Sequence, residues 1–82
     1  MGDVMEEIVK YIVDKLVADK DAVKVSSAEN GDEIVITVVV ADADMGKVIG
    51  RNGKIAQSIR AIIKTASNGT GKRYFVKFEK AN

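Results

Sequence analysis

The residues best placed to do chemistry lie together in Val48-Ile49-Gly50-Arg51-Asn52-Gly53-Lys54-Ile55-Ala56. Two glycines stand three positions apart, with a cation and an amide between them. Glycine has no Cβ, so the backbone can come close to another group at such a point. With basic residues on both sides, the arrangement suits an anion held against main-chain amides. A phosphodiester backbone is the best candidate.

Competing chemistries find no residues. Neither cysteine nor histidine occurs in the 82-residue chain, which removes disulfides, the usual zinc sites and the usual neutral-pH proton shuttle. Ser58 and Ser67 therefore have no histidine base, and no catalytic set can be assembled. Gly53-Lys54 resembles the end of a P-loop, but Val48 and Ile55 occupy positions where G-x-x-x-x-G-K-[ST] needs glycine and a hydroxyl residue. Met1-Gly2 resembles a myristoylation start, but Glu6 stands where Ser or Thr is required. No apolar run approaches the ~20 residues of a membrane span, and no signal-peptide pattern opens the chain. The expectation is one small soluble, cytoplasmic domain over residues 1–82, with no cofactor, no metal and no membrane partner.

The formal net charge of +1 hides a segregation. Met1 to Asp44 carries four basic and eleven acidic residues, a charge of −7. Met45 to Asn82 carries nine basic residues and only Glu79 on the acidic side, a charge of +8. The glycine motif lies inside the basic half. Such a dipole draws an anionic partner to one side of the molecule.

Six elements must position this motif. A first helix is expected from Asp3, as N-cap, to Ala18. Its stripe is Val4, Ile8, Ile12 and Leu16, widened by Met5, Val9 and Val13. A short strand follows over Val23 to Ala28. Asn30-Gly31-Asp32 makes a hairpin turn, because Asn and Gly tolerate positive φ. Glu33 to Ala41 is nearly all β-branched and apolar on both faces, the mark of a central strand. Asp42 or Asp44 is expected to cap a short helix carrying Met45, Val48 and Ile49. The Gly50–Gly53 turn interrupts it. A longer helix runs from Lys54 to Ser67, with Ile55, Ile59, Ile62, Ile63 and Ala66 as its apolar face. Asn68-Gly69-Thr70-Gly71 stops that helix. The last strand, Arg73 to Glu79, places Tyr74, Val76 and Phe78 on one face and Arg73, Phe75, Lys77 and Glu79 on the other.

The order α-β-β-α-α-β implies an antiparallel hairpin. Its two-helix connection is long enough to return the last strand parallel to the second. Three helices then cover one face of a three-stranded mixed sheet, an α+β fold. The other face shows Val35, Thr37, Val39, Phe75 and Lys77.

The segment Val48-Ile49-Gly50-Arg51-Asn52-Gly53 matches the (V/I)-I-G-x-x-G signature of KH domains, and the element order resembles the type II, prokaryotic arrangement. Asp44-Met45-Gly46-Lys47-Val48-Ile49-Gly50 before the loop and Lys54-Ile55-Ala56-Gln57-Ser58-Ile59-Arg60 after it are most similar to the small bacterial single-domain KhpA family. The similarity runs along the whole chain. One departure is that Ala56 stands three positions after the second glycine, where many KH domains have an aliphatic residue; here Ile55 comes one earlier.

The resemblance implies binding of single-stranded RNA, with some tolerance for single-stranded DNA. About four nucleotides lie across such a loop. Gly50 and Gly53 then shape the cradle, Arg51 supplies charge and Asn52 hydrogen bonds. Lys54 and Lys47 are further phosphate contacts, Val48, Ile49 and Ile55 form an apolar wall for bases, and Lys72 and Arg73 close the far side of the groove. Arg60 and Lys64 read as surface charge. None of the four aromatic residues sits at the motif, so strong stacking is not expected. The function implied is that of an RNA chaperone or post-transcriptional regulator. A homodimer, or a heterodimer with another KH protein, is expected, because a second copy raises effective concentration. One alternative is a protein adaptor of KH shape, acting by dimerisation or docking. Another is a helix-turn-helix DNA binder using the Lys54–Ser67 helix. The exposed side of that helix, around Ile62 and Ile63, and the open sheet face are the candidate self-association surfaces.

Overall fold

A computed structural model describes residues 4–81. The expected cap at Asp3 lies outside the described residues. The elements are α1 (Val4–Leu16), β1 (Lys24–Asn30), β2 (Glu33–Val40), α2 (Met45–Ile49), α3 (Lys54–Ala66) and β3 (Arg73–Lys80). Single 3-10 turns occur at Lys20–Ala22, Asp42–Asp44 and Arg51–Gly53. The sheet order is β1-β2-β3, so the β-branched strand is central as its composition requires.

β1 and β2 pair antiparallel through a tight hairpin in which Asn30 faces Glu33. Asn30 ends the strand, and Gly31 alone of the expected turn residues takes a positive φ, 64°. β3 runs parallel to β2, with Ile34, Ile36 and Val38 opposite Tyr74, Val76 and Phe78. These residues share the inner face, because side chains alternate along a strand. Backbone hydrogen bonds tie β3 to β2 at both ends, from Arg73 N–H to Asp32 O (2.8 Å) and from Ala81 N–H to Val40 O (2.7 Å).

The core sits between the inner sheet face and the helices. Ile36, Val38 and Val40 are fully buried there with Val9, Val13, Val48 and Ile63. Two stripes are rotated from their expected positions. In α1, Met5, Val9 and Val13 are buried, Ile8, Ile12 and Leu16 pack beside them, and Val4 is exposed. In α3, Ala56, Ile59 and Ile63 are buried, whereas Ile62 and Ala66 face outward. Each helix carries two adjacent apolar ridges. Periodicity marks both, and only the contact with the sheet selects between them.

Asp44 is not a helix cap. Its side chain makes no capping bond at α2, and Asp42 instead lies 3.9 Å from Lys80. Asp44 is buried, and its carboxylate accepts N–H bonds from Ala18 (3.2 Å) and Asp19 (3.0 Å), just past the end of α1. Lys47 Nζ stands 3.2 Å away on its exposed side. The carboxylate thus fastens the start of α2 to the end of α1. The two amide bonds, led by that of Asp19, and the Lys47 charge hold its pKa below the ordinary value despite burial.

Candidate nucleic-acid interface

The helix hairpin α2–α3 turns at Gly50–Gly53, and three of its four residues have positive φ. The two glycines serve different ends. Gly50 (φ 76°, ψ 174°) lies in a region open essentially to glycine alone. A Cβ there would stand 2.6 Å from Ile55 Cγ1. Its missing side chain therefore makes room for Ile55, not for a ligand. Gly53 (φ 73°, ψ 15°) is left-handed, and a Cβ built on it meets nothing within 4 Å. The open side of the turn is thus at Gly53. Between them Asn52 (φ 57°, ψ 26°) is the one non-glycine residue with positive φ among those described, a conformation Asn accepts more readily than most.

Gly50 N–H is used by Gly46 O (2.9 Å) and Gly53 N–H by Gly50 O (3.2 Å), which fix the turn from within. No side chain caps the N-terminus of α3. Its first amides therefore carry the unscreened positive end of the helix dipole. Arg51 and Lys54 are exposed beside it, and among the described residues no side chain pairs with either.

The other expected site residues divide. Val48 is fully buried in the core and offers no wall to a base. Ile49 and Ile55 are half-buried against that core, while Ala56 is fully inside. Small Ala56 faces the core and Ile55 fills the space under Gly50, which accounts for their order. Lys47 is engaged by Asp44. Lys72 pairs with Glu29, and Arg73 Nη2 lies 2.6 Å from Glu33 Oε2. The far-side cations are thus bound by acids of the β1–β2 hairpin.

Two residues read as surface charge prove to be part of a groove. Arg60 Nε donates to Val76 O on edge strand β3 (3.1 Å), and its guanidinium carbon lies 5.7 Å from the Phe78 ring centroid. Arg60 and Lys64 also line a cavity of about 620 Å³ between α3, the 67–72 loop and β3. That loop is held in shape by Thr70, whose hydroxyl donates to Ser67 O (2.7 Å) and accepts from Lys72 N–H (3.2 Å). Only the spacing Gly53-Gln57-Arg60-Lys64, one stripe at three- and four-residue steps, hinted that Arg60 and Lys64 continue the face begun at the turn.

An α-β-β-α-α-β chain whose last strand returns parallel beside the second, with a G-x-x-G turn joining its two central helices, has the type II KH fold. Two solved structures share it at 16% identity, each over 94% of this chain and 30% of theirs. One is Aquifex aeolicus Era bound to GDP and aluminium fluoride (TM-score 0.60). The other is Era with MgGDPNP and nucleotides 1506–1542 of 16S ribosomal RNA (TM-score 0.61). The family described as "KhpA/KhpB, KH domain" matches residues 6–78. The RNA-binding protein KhpA of Caldanaerobacter subterraneus subsp. tengcongensis is 46% identical over 72 residues, which is 88% of this chain and 96% of that protein. The RNA-binding protein KhpA of Clostridium acetobutylicum is 40% identical over the same shares. That of Aquifex aeolicus is 38% identical over 84% of this chain and 87% of its own. The chain belongs to the KhpA/KhpB KH-domain family, which is non-enzymatic.

Proposed function

We propose that this chain binds single-stranded RNA by the sugar-phosphate backbone at Gly50-Arg51-Asn52-Gly53. It would act as an RNA chaperone or post-transcriptional regulator in the cytoplasm. The observation that carries the reading is the uncapped N-terminus of α3 behind an open Gly53, flanked by Arg51 and Lys54, neither of which pairs with an acid among the described residues. Phosphates favour such a terminus because amides and dipole act together. The names carried by the relatives point the same way. Lys47, Lys72 and Arg73 contribute less, since each already faces a carboxylate. Single-stranded DNA offers the same phosphates and is a weaker ligand of the same track.

The test is the double substitution Arg51→Asp, Asn52→Asp. It reverses charge at exposed positions, and Asp also accepts left-handed geometry. RNA affinity is expected to fall at least about tenfold, with a wild-type thermal midpoint. Unchanged affinity refutes the turn as the site. Duplex DNA bound more tightly than single-stranded RNA favours the helix-turn-helix reading instead.

Self-association is a second element of the proposal. Ala61, Ile62, Thr65 and Ala66 form a shallow apolar groove on the outer face of α3, with Ile62 46% exposed. Ile63, expected to share that surface, is in the core. A second copy or another KH protein seated on Ile62 would double the RNA-binding length and raise effective concentration.

A further inference from the structure

We propose that Arg60 reads a nucleobase, and that the cavity beside it takes a base presenting two adjacent hydrogen-bond acceptors, guanine above all. The inference rests on the RNA-binding reading and adds to it the base preference. Arg60 is fixed from two sides, by Nε donation to Val76 O and by the Phe78 ring. Among the described residues nothing accepts from its two terminal amino groups. What remains is a planar fork of two parallel donors, already oriented. Arg60 lines one cavity together with Lys64, Asn68, Tyr74 and Phe75. Arg60 lies six positions after Lys54, ~9 Å along the helix axis. A strand held at the turn can therefore carry a base to Arg60 along the stripe through Gln57.

Two donors side by side match two acceptors side by side. Guanine offers O6 and N7, and Arg to this pair is the commonest specific base contact in DNA grooves. Cytosine offers O2 and N3. Adenine sets its 6-amino group beside N1 and N7 and has no second acceptor beside N3, so one arm of the fork meets a donor or nothing. Uracil flanks its N3–H with single carbonyls. Val76 O, the strand-edge acceptor that would welcome an amino group, is already occupied by Arg60 Nε. The aromatic walls of the cavity suit a base better than a hydrated phosphate.

The experiment measures fluorescence-anisotropy affinities for four labelled oligoribonucleotides, (GU)4, C8, A8 and U8, with wild type, Arg60→Ala and Arg60→Lys. Wild type is expected to bind (GU)4 at least about tenfold more tightly than A8 or U8, the lower range of one bidentate contact. Both variants are expected to erase that ratio, and Arg60→Lys is expected to keep the affinity for U8 within about threefold. Arg60→Lys keeps the charge and loses the fork, so it separates shape from charge. Partial unfolding of a variant scales all four affinities alike and leaves the ratio untouched. Replacing guanine by 7-deazaguanine, which lacks N7, is expected to lower (GU)4 to the U8 level. C8 bound as tightly as (GU)4, with the 7-deaza change silent, assigns the site to cytosine and refutes the guanine assignment. A uniform loss on all four oligonucleotides in Arg60→Ala, with a salt slope smaller by about 1, assigns Arg60 to a phosphate and overturns the inference. Equal affinity of wild type for all four overturns it as well. In both cases loss of binding on Arg51→Asp, Asn52→Asp leaves the RNA reading standing.

Discussion

Replacing Gly50 by Ala is expected to destabilise the fold far more than replacing Gly53 by Ala, although both glycines belong to one motif. At Gly50 the backbone (φ 76°, ψ 174°) is one that only glycine visits freely, and holding another residue there costs about 1–3 kcal/mol. The new Cβ would also stand 2.6 Å from Ile55 Cγ1 and 2.9 Å from its Cβ and Cδ1. Overpacking against a half-buried side chain adds about 1–3 kcal/mol. One backbone shift relieves part of both, so a loss of about 3 kcal/mol is expected for Gly50→Ala. Gly53 is left-handed but open, and Gly53→Ala is expected to cost only about 1–2 kcal/mol. A chain of this length has roughly 4–12 kcal/mol in total, so the first loss is visible and survivable. Urea unfolding followed by circular dichroism reads both. With an m-value of about 1 kcal/mol/M, the midpoint falls by about 3 M for Gly50→Ala and 1–2 M for Gly53→Ala. Ile55→Ala removes Cγ1 and Cδ1, so its combination with Gly50→Ala is expected to cost less than the sum of the two by at least about 0.5 kcal/mol. Equal midpoints for the two glycine variants, or strict additivity with Ile55→Ala, refute the claim that Gly50 exists to admit Ile55.

Acid is expected to weaken the fold through Asp44. Its folded pKa lies below the ordinary carboxylate value of about 3.9, so its contribution is complete above that pH and is lost as pH falls through the depressed folded value. Asp44→Asn removes that dependence, and thermal melts between pH 2 and 7 show a smaller acid slope for the variant; an unchanged slope counts against it. Lys54→Ala is expected to lower the salt slope of RNA binding by about 1, while Lys72→Ala and Arg73→Ala lower it less because Glu29 and Glu33 already neutralise them. Binding isotherms at several KCl concentrations rank the three. Ile62→Asp is expected to shift any concentration-dependent dimer to monomer in light scattering while leaving the unfolding free energy within about 1 kcal/mol of wild type, since Ile62 is outside the core.

Most of the fold is legible in residue types because each element's signal is local. β2 declares itself by β-branching on both faces, β3 by alternation, and the hairpin by Gly31. The parallel return of β3 follows from the length of the two-helix connection. What stays hidden is decided by contacts between elements. Ile62 and Ile63 are identical in kind, yet one is exposed and the other buried, because the angle at which α3 meets the sheet is not written in its period. Asp44 looks like a cap, since Asp before an apolar helix usually is one. Its real partners, Ala18 and Asp19, lie 26 and 25 residues earlier, where no local rule looks. Gly50 misleads in the opposite way: its motif announces a close approach but not that the approaching group is Ile55.

The charge split, by contrast, gains meaning only in three dimensions. The acidic half is not merely repelled from an anionic ligand; it selects which cations stay available. Glu29 and Glu33 take Lys72 and Arg73 at the hairpin end of the sheet, and Asp44 takes Lys47 before the turn. Asp42 draws Lys80, and within the basic half itself Glu79 takes Lys77 on the open sheet face. Among the described residues this leaves Arg51, Lys54 and Lys64 without an acid partner, with Arg60 held by neutral groups. These four lie at the G-x-x-G turn and along the α3 face that continues from it. A formal charge of +8 spread over the second half is thereby reduced to one narrow basic track, aligned with the only open glycine of the motif. Surface pairs contribute little to stability, on the order of 0–1 kcal/mol each. Their effect here is on the field: the unpaired cations lie along α3 and the others are compensated, so on the proposed reading a polyanion is drawn to that track.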